Sequence, residues 1–422
     1  MDAIVYVILD GVSDRPIPQW NYRTPLELAE TPHLNRLAAR GAMGLLFTVK
    51  RGIAPESDAG VFSLLSYDPS QFDLSRGVVE AIGSGIDFRQ GDLALRCNFA
   101  TVKDGQVVDR RAGRSVSTNE ARELTNSINN DSSLKRMVNF ELKSTIGHRC
   151  VLVFHTNGSR FSSSISNLDP AYARKGNVTI ARSNVKLPIR VPKCIGLNKT
   201  RIARQTARFL NTFAEQVHEV LKNDPVNVKR EQRGDLPANF LLMRDAGTKM
   251  PKVRTLKEKF GINSVALADM PVELGIAKVV GMDTEVFPPD RSQEGYSHRA
   301  KKTLEFSERY GLVYVHLKGP DEPGHDGDYE AKKNSIQDID SGFFSELIGL
   351  ESKLVCITAD HSTPCTAMGH TDDPVPLLIA GPKVKSDGSM RFTESYAKKG
   401  SLGKITHGYE LLRLLTKLRQ PT

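Results

Sequence analysis

Leu354-Val-Cys-Ile-Thr-Ala-Asp360-His361 is an unbroken apolar run that ends in an acid and an imidazole. Two other stretches share its design: Ile4 to Leu9 ends at Asp10, and Val313 to Leu317 is soon followed by Asp321. Continuous rather than alternating hydrophobicity is what a strand buried on both faces requires, so the three runs predict a parallel sheet flanked by helices. Between the last two runs, Ile336, Ile339, Phe343, Leu347 and Leu350 recur at three- and four-residue spacing. That spacing predicts an amphipathic helix over 329–350 and completes a strand–helix–strand unit. Ligands of such sheets sit beyond the carboxyl ends of the strands, where all three acids fall.

Working outward, Pro376 to Ala380 before Gly381-Pro382 predicts a further strand, and 408–418 a terminal helix. The first and last parts of the chain therefore belong to one core. From 77 to 251 the character changes: short alternating runs over 93–102 and 149–154 precede an amphipathic helix over 201–221. In that helix Ile202, Phe209, Phe213, Val217 and Val220 form the inward stripe, Arg201, Arg204 and Arg208 a solvated side, and Pro225 a stop signal. The expected organisation is a discontinuous α/β core, 1–76 and 252–422, its mostly parallel sheet flanked by helices and interrupted by a smaller α+β domain over 77–251.

Composition fits a globular enzyme. With 422 residues, 39% apolar and 25% charged, and no repeat, the chain has enough material for a large core in each of two domains. A formal charge of +9 favours anionic partners. The basic residues are dispersed, without a basic tail, zinc-finger spacing or aromatic RNA-binding signature, so the charge points to a small phosphorylated metabolite rather than nucleic acid. Cys97, Cys150, Cys194, Cys356 and Cys365 are odd in number and contain no paired motif, so reduced thiols are expected. The opening Ile4 to Leu9 run is too short for a signal core, and no stretch approaches the roughly 20 apolar residues of a membrane span. A cytoplasmic protein is expected. Nothing here specifies an oligomeric state.

The chemistry concentrates at the predicted strand ends. Lys318-Gly-Pro-Asp321-Glu-Pro-Gly-His325-Asp-Gly-Asp328 places acids and a histidine among turn-forming residues, with Pro323 expected to exclude a regular helix. Thr358-Ala-Asp360-His361-Ser-Thr is followed by Gly369-His370-Thr-Asp372-Asp373. Three histidines and three acids at neighbouring strand ends make a ligand set of hard oxygen and imidazole nitrogen, suited to two divalent cations: manganese first, with magnesium, cobalt or zinc as alternatives. Ser57, in Ala54-Pro-Glu-Ser57-Asp58, precedes an apolar stretch and reads both as a helix N-cap and as a nucleophile whose phosphoryl oxygens would meet helix amides. Asp109-Arg110-Arg111-Ala-Gly-Arg114, in the inserted segment, offers planar donors matched to phosphate or carboxylate.

With these residues assembled, the chain resembles the archaeal-type, cofactor-independent phosphoglycerate mutases of the alkaline phosphatase superfamily. The match runs from Val7-Ile-Leu-Asp10-Gly-Val-Ser-Asp14-Arg15 through Ser57-Asp58, Tyr67-Asp68-Pro69, Arg96-Cys-Asn98-Phe-Ala-Thr-Val102 and Asp109 to Arg114. It continues in Pro237-Ala-Asn239-Phe-Leu-Leu-Met-Arg244, His316-Leu-Lys318-Gly, Asp321 to Asp328, Asp360-His361, Gly369-His370 and His407-Gly-Tyr409. The resemblance implies an alkaline-phosphatase-like core holding two divalent metals, without bisphosphoglycerate, and an inserted domain that closes on substrate. Asp321, His325 and His370 would hold one metal; Asp10, Ser57, Asp360 and His361 the other. It implies interconversion of 3-phosphoglycerate and 2-phosphoglycerate, an isomerase activity of glycolysis and gluconeogenesis, through a phosphoserine at Ser57. The substrate-binding candidates are Arg110, Arg111, Arg114, Asn98, Arg244 and Lys318. Two departures stand out: Val61 occupies the place of an expected histidine, and Leu274 that of an expected lysine, whose charge Lys318 could supply.

Overall fold

The computed structural model describes residues 3–72, 74–156, 160–175, 178–182, 185–347 and 350–419. The chain divides into two compact units, Met1–Phe72 with Val253–Thr422, and Asp73–Lys252.

The discontinuous unit is built on eight strands: β1 (Ile4–Leu9), β2 (Gly41–Leu46), β3 (Ser264–Ala268), β4 (Asp283–Val286), β5 (Leu312–Leu317), β6 (Leu354–Thr358), β7 (Val375–Ala380) and β8 (Gly403–Ile405). Their order across the sheet is β4-β3-β5-β1-β6-β7-β2-β8. Only β7 runs against the others, pairing antiparallel with both β6 and β2. Every residue of β1, β5, β6 and β7 is buried, whereas β4 and β8 at the edges are largely exposed. Apolar runs without alternation thus mark the interior strands, because both of their faces are covered.

The covering helices are α1 (Pro32–Ala39), α2 (Ser57–Leu64), α3 (Pro271–Val279), α4 (Gln293–Ser307), α5 (Asp321–Asp326), α6 (Tyr329–Gly342) and α7 (Leu411–Leu418). They pack in two groups: α4 and α1 lie against α6, and α2 lies against α3. The helix expected over 329–350 ends at Gly342. Phe343 turns the chain into a short 3-10 segment, Phe344–Glu346, which still buries Phe344 and Leu347.

Register brings the acid-bearing ends together. Leu9 pairs with Leu317 on one side, and Ile8 with Thr358 on the other. The amide of Asp10 donates to Leu317 O at 3.0 Å, so the chain after β1 starts beside the chain after β5.

The inserted unit carries an antiparallel sheet ordered Phe140–Ser144, Arg149–Phe154, Leu93–Lys103, Gln106–Asp109 and Ile189–Arg190, with Phe240–Gly247 also pairing with Leu93–Lys103. Alternation works here as a two-faced sheet demands. Leu152 and Phe154 join the larger core under the helices Thr118–Asn130 and Arg201–Leu221, while Val151 and Val153 pack with Val78 and Ala81 on the other face. In the long helix the buried stripe is Ala203, Ala207, Leu210, Phe213, Ala214, Val217 and Leu221, rotated from the expected one; Phe209 and Val220 are only partly buried. Pro225 does not merely stop that helix; it opens the next, Pro225–Gln232, capped by Asp224, because proline at a first helical position lacks only an amide that has no partner anyway. All five cysteines are free and buried.

Candidate active site

The rim of the core sheet gathers side chains from four strand ends and from α2, α3 and α5. Asp10, Asp360 and His361 are buried, Asp321 and His370 partly so, and His325 reaches solvent. His361 lies at the centre. Its Nε2 is 3.3 Å from Asp10 Oδ1, 3.3 Å from Asp360 Oδ2 and 3.2 Å from Ser57 Oγ. The His370 ring stacks on it at 3.7 Å between centroids. His325 Nε2 and His370 Nε2 approach to 3.1 Å, each 3.5 Å from Asp321 Oδ1.

The hydrogen-bond partners of these rings fix which nitrogen carries the proton. His370 Nδ1 faces the carbonyl of Pro55 at 2.8 Å, and His325 Nδ1 that of Met368 at 3.4 Å. Thr363 Oγ1 donates to Asp321 Oδ1 at 2.7 Å and therefore accepts from His361 Nδ1 at 3.0 Å. In the neutral rings all three Nε2 atoms are then bare lone pairs turned toward carboxylate oxygens, an arrangement that calls for a cation. Two clusters have ligand-like geometry: Asp321, His361 and His370, and, deeper, Asp10, His316 and Asp360.

Electrostatics make the same demand. Burial alone would raise the carboxyl of Asp10, yet Lys318, His316 and His361 hold it well below the usual range. Burial opposes charge on His361, yet Asp360, Asp10 and Asp321 push its imidazole well above its ordinary value. Positive charge is wanted at this point, from a proton or from a metal.

Ser57 is the first residue of α2 and not its cap; Glu56 holds the cap position without a side-chain capping bond to the helix amides, and Ser57 Oγ turns to His361. Gly60, one turn on, lets α2 lie on the chain at Asp360, where a Cβ would stand 2.4 Å from Asp360 O. The loop after β5 also differs from expectation: Asp321–Asp326 is a helical turn that includes Pro323, because a third helical position needs no amide donor. Gly11, at φ +61°, turns the chain past Asp321 and Thr363, where any Cβ would collide.

Beside Lys318, already a substrate-binding candidate, His316, Glu273 and Lys332 carried no functional signal on their own. His316 stands inside an apolar run and is buried, with Nδ1 2.9 Å from the Tyr314 hydroxyl. Glu273, from α3, and Lys318 form a buried pair at 2.7 Å, and Lys318 Nζ also lies 2.9 Å from Asp10 Oδ2. The ammonium therefore sits beside Leu274's helix, although Leu274 and Val61 are themselves packed in the core. Lys332 of α6, fully buried, donates to Asp14, to Ser13 O and to Thr363 O, tying the loop after β1 to the loop after β6. An imidazole in a buried strand and a lysine on a buried helix face were the available signals.

In the inserted unit, Arg110 binds Asp169 with two bonds of 2.6 and 2.8 Å, and Arg244 reaches the same carboxylate at 3.1 Å. Both guanidinium groups lie over the Tyr172 ring, and the Asn98 amide is 3.1 Å from Arg244 Nη1. Arg111, Arg114 and Arg182 help line a cavity of about 340 Å3 with Arg110. Its positive potential is felt by His148, which burial and then Arg149, Arg111, Arg244 and Arg114 pull down to about 3. Lys318 belongs to the other unit, so the six substrate candidates do not form one cluster within either unit.

Fold and rim define a class: α/β proteins with a mostly parallel sheet that collects acids, imidazoles and a helix-borne serine at its carboxyl edge. A family profile described as 2,3-bisphosphoglycerate-independent phosphoglycerate mutase matches residues 38–227. A protein of that name from Aeropyrum pernix is 40% identical, with 97% of each chain covered, and one from Thermoplasma volcanium is 36% identical over 99% of this chain and 97% of its own. Among solved structures, the cofactor-independent phosphoglycerate mutase of Thermoplasma acidophilum aligns over the whole of both chains at 32% identity with a TM-score of 0.64. A protein from Pyrococcus horikoshii gives a TM-score of 0.76 at 28% identity, covering 100% of this chain and 98% of its own. The chain belongs to the 2,3-bisphosphoglycerate-independent phosphoglycerate mutase family.

Proposed function

We propose that the chain interconverts 3-phosphoglycerate and 2-phosphoglycerate through a phosphoserine at Ser57. The observation that carries this reading is Ser57 Oγ, 3.2 Å from His361 Nε2 at the start of a helix, beside carboxylate oxygens that make no hydrogen bond. The donor set fits two divalent cations. Asp321, His325 and His370 would hold one, and Asp10, Asp360, His361 and Ser57 the other. Such cations would supply positive charge that favours ionised Ser57 and neutralises phosphoryl oxygens. Mixed imidazole and carboxylate donors support manganese, with cobalt, zinc or magnesium as alternatives.

Ser57 Oγ forms its bond to phosphorus as the bond from phosphorus to the 3-oxygen of glycerate breaks, and the 3-oxygen takes up a proton. The glycerate reorients while still bound. Its 2-oxygen then takes the phosphoryl group and loses a proton, so the cycle is proton-neutral. The first amides of α2 are placed to receive phosphoryl oxygens. Within the same proposal the enzyme works in the cytoplasm. Among the described residues no helix is long and apolar enough to cross a membrane.

The test is a coupled enolase assay with manganese. Conversion of 3-phosphoglycerate is expected, falling at least about 1000-fold in Ser57→Ala. No conversion with any of the four metals, and no difference between Ser57→Ala and the parent, would overturn the reading. Because apolar Val61 fills a position where an imidazole was expected, release of free phosphate faster than isomer would instead identify a phosphohydrolase.

A further inference from the structure

Deep to Ser57, three polar atoms converge without hydrogen bonds: Asp10 Oδ1, Asp360 Oδ2 and His316 Nε2, all on buried side chains. The nitrogen is 3.9 Å from the first oxygen and 3.7 Å from the second, too far for hydrogen bonding. Unmet polar atoms at this depth destabilise the fold, so three at one point require an explanation.

The partners of the neighbouring atoms supply it. Asp10 spends its other oxygen on Lys318 Nζ at 2.9 Å, and Asp360 turns its other oxygen to the Gly11 amide at 3.4 Å. Each carboxylate is thus anchored on one side and bare on the other. His316 repeats the pattern: Nδ1 meets the Tyr314 hydroxyl at 2.9 Å, and Nε2 is bare. Tyr314 and His316 lie two apart on β5 and share a face of the strand, so the hydroxyl can orient the ring. The tyrosine hydroxyl can accept from Nδ1–H, and in that tautomer the Nε2 lone pair points at two carboxylate oxygens, the arrangement of a metal ligand. Five donors bound at about 2.1 Å to one ion stand roughly 3.0–3.6 Å apart, at angles of about 90–120°, so separations of 3.9 and 3.7 Å need contract by less than about 1 Å.

We propose that His316 is a direct ligand of the inner cation, joining Asp10 and Asp360 from beneath while His361 and Ser57 approach from the rim. This rests on the two-cation reading above. It gives the inner site a second imidazole and with it a preference for cations that accept nitrogen, manganese, cobalt or zinc, over magnesium.

The experiment titrates Mn2+ into metal-free full-length protein by calorimetry and follows Co2+ by its visible absorption. Two bound cations are expected in the parent. His316→Ala should weaken one of them at least 10-fold, while His370→Ala weakens the other and spares the inner one. His316→Gln, which keeps most of the volume, guards against a folding defect; with it the inner cobalt band should shift as a nitrogen donor is lost. Wild-type affinity for both cations in His316→Ala, or an unchanged cobalt spectrum in His316→Gln, would overturn the inference and leave the two-cation reading standing. No cation bound by the parent protein would overturn both.

Discussion

Gly60 has no functional group, yet it sets where Ser57, the proposed nucleophile, stands. Its missing side chain admits the carbonyl of Asp360 into the first turns of α2, the helix that begins with Ser57. In Gly60→Ala the added carbon, 2.4 Å from that oxygen, must push helix and strand end apart. A displacement near 1 Å at a reacting atom costs about 100-fold in rate. The expected result is a kcat lowered by about that factor with KM little changed, measured in the enolase-coupled assay; unaltered kcat would show that Ser57 tolerates the shift. The acids and imidazoles proposed as ligands were visible in the sequence because such residues are conspicuous at the ends of apolar runs. Gly60, Thr363 and Lys332 were not, since their roles consist of a close approach, a fixed tautomer and a buried ammonium, none of which has a spacing to recognise.

Elements add their own logic. The helix Glu394–Lys399 begins with a carboxyl that accepts from the Asp14 amide at 3.1 Å and from Thr24 Oγ1 at 2.8 Å. Burial raises the pKa of Glu394 to about 7. A carboxyl raised above its unfolded value favours the folded state in its protonated form. Its contribution is complete below about pH 4.5 and is lost as pH climbs through about 7. Unfolding free energy should therefore decline by on the order of 3 kcal/mol across that window, and Glu394→Gln should flatten the decline. Urea denaturation at a series of pH values checks this; parallel curves for both proteins would exclude Glu394 as the source. Four of the eight core strands, β1, β5, β6 and β7, were legible because burial on both faces writes itself as unbroken hydrophobicity; β2 and β3, equally buried but rich in glycine, alanine and serine, and the exposed edge strands β4 and β8 were not read. The turn at Asp321–Asp326 was not, because proline is read as a helix breaker although its first-turn position makes it harmless.

At the scale of the whole molecule, an excess of nine positive charges should draw in a multiply anionic substrate. Attraction of this kind is screened once the Debye length falls to about 10 Å at 0.1 M salt. KM for 3-phosphoglycerate is expected to rise several-fold between low salt and about 0.5 M potassium chloride, with kcat nearly constant, in initial-rate measurements; a flat KM would mean that local contacts alone bind the substrate. Composition made this property legible at once. The division of labour among the arginines was not, because only coordinates show that Arg110 and Arg244 are committed to Asp169, which lies far from both in sequence.

One topological detail shapes the catalyst more than its size suggests. Since β7 alone is inverted, the polypeptide leaving β6 can enter it again without crossing the sheet, and the excursion opens and closes on the same edge. His361 sits near the start of that excursion and His370 near its end, so their stacked rings belong to a single hairpin-like detour. Had every strand pointed the same way, a return crossover would have carried the second imidazole to its place through a separate helix. The reversal makes the distance between two prospective metal donors a matter of local chain length, adjustable by insertion or deletion without redesign of the scaffold.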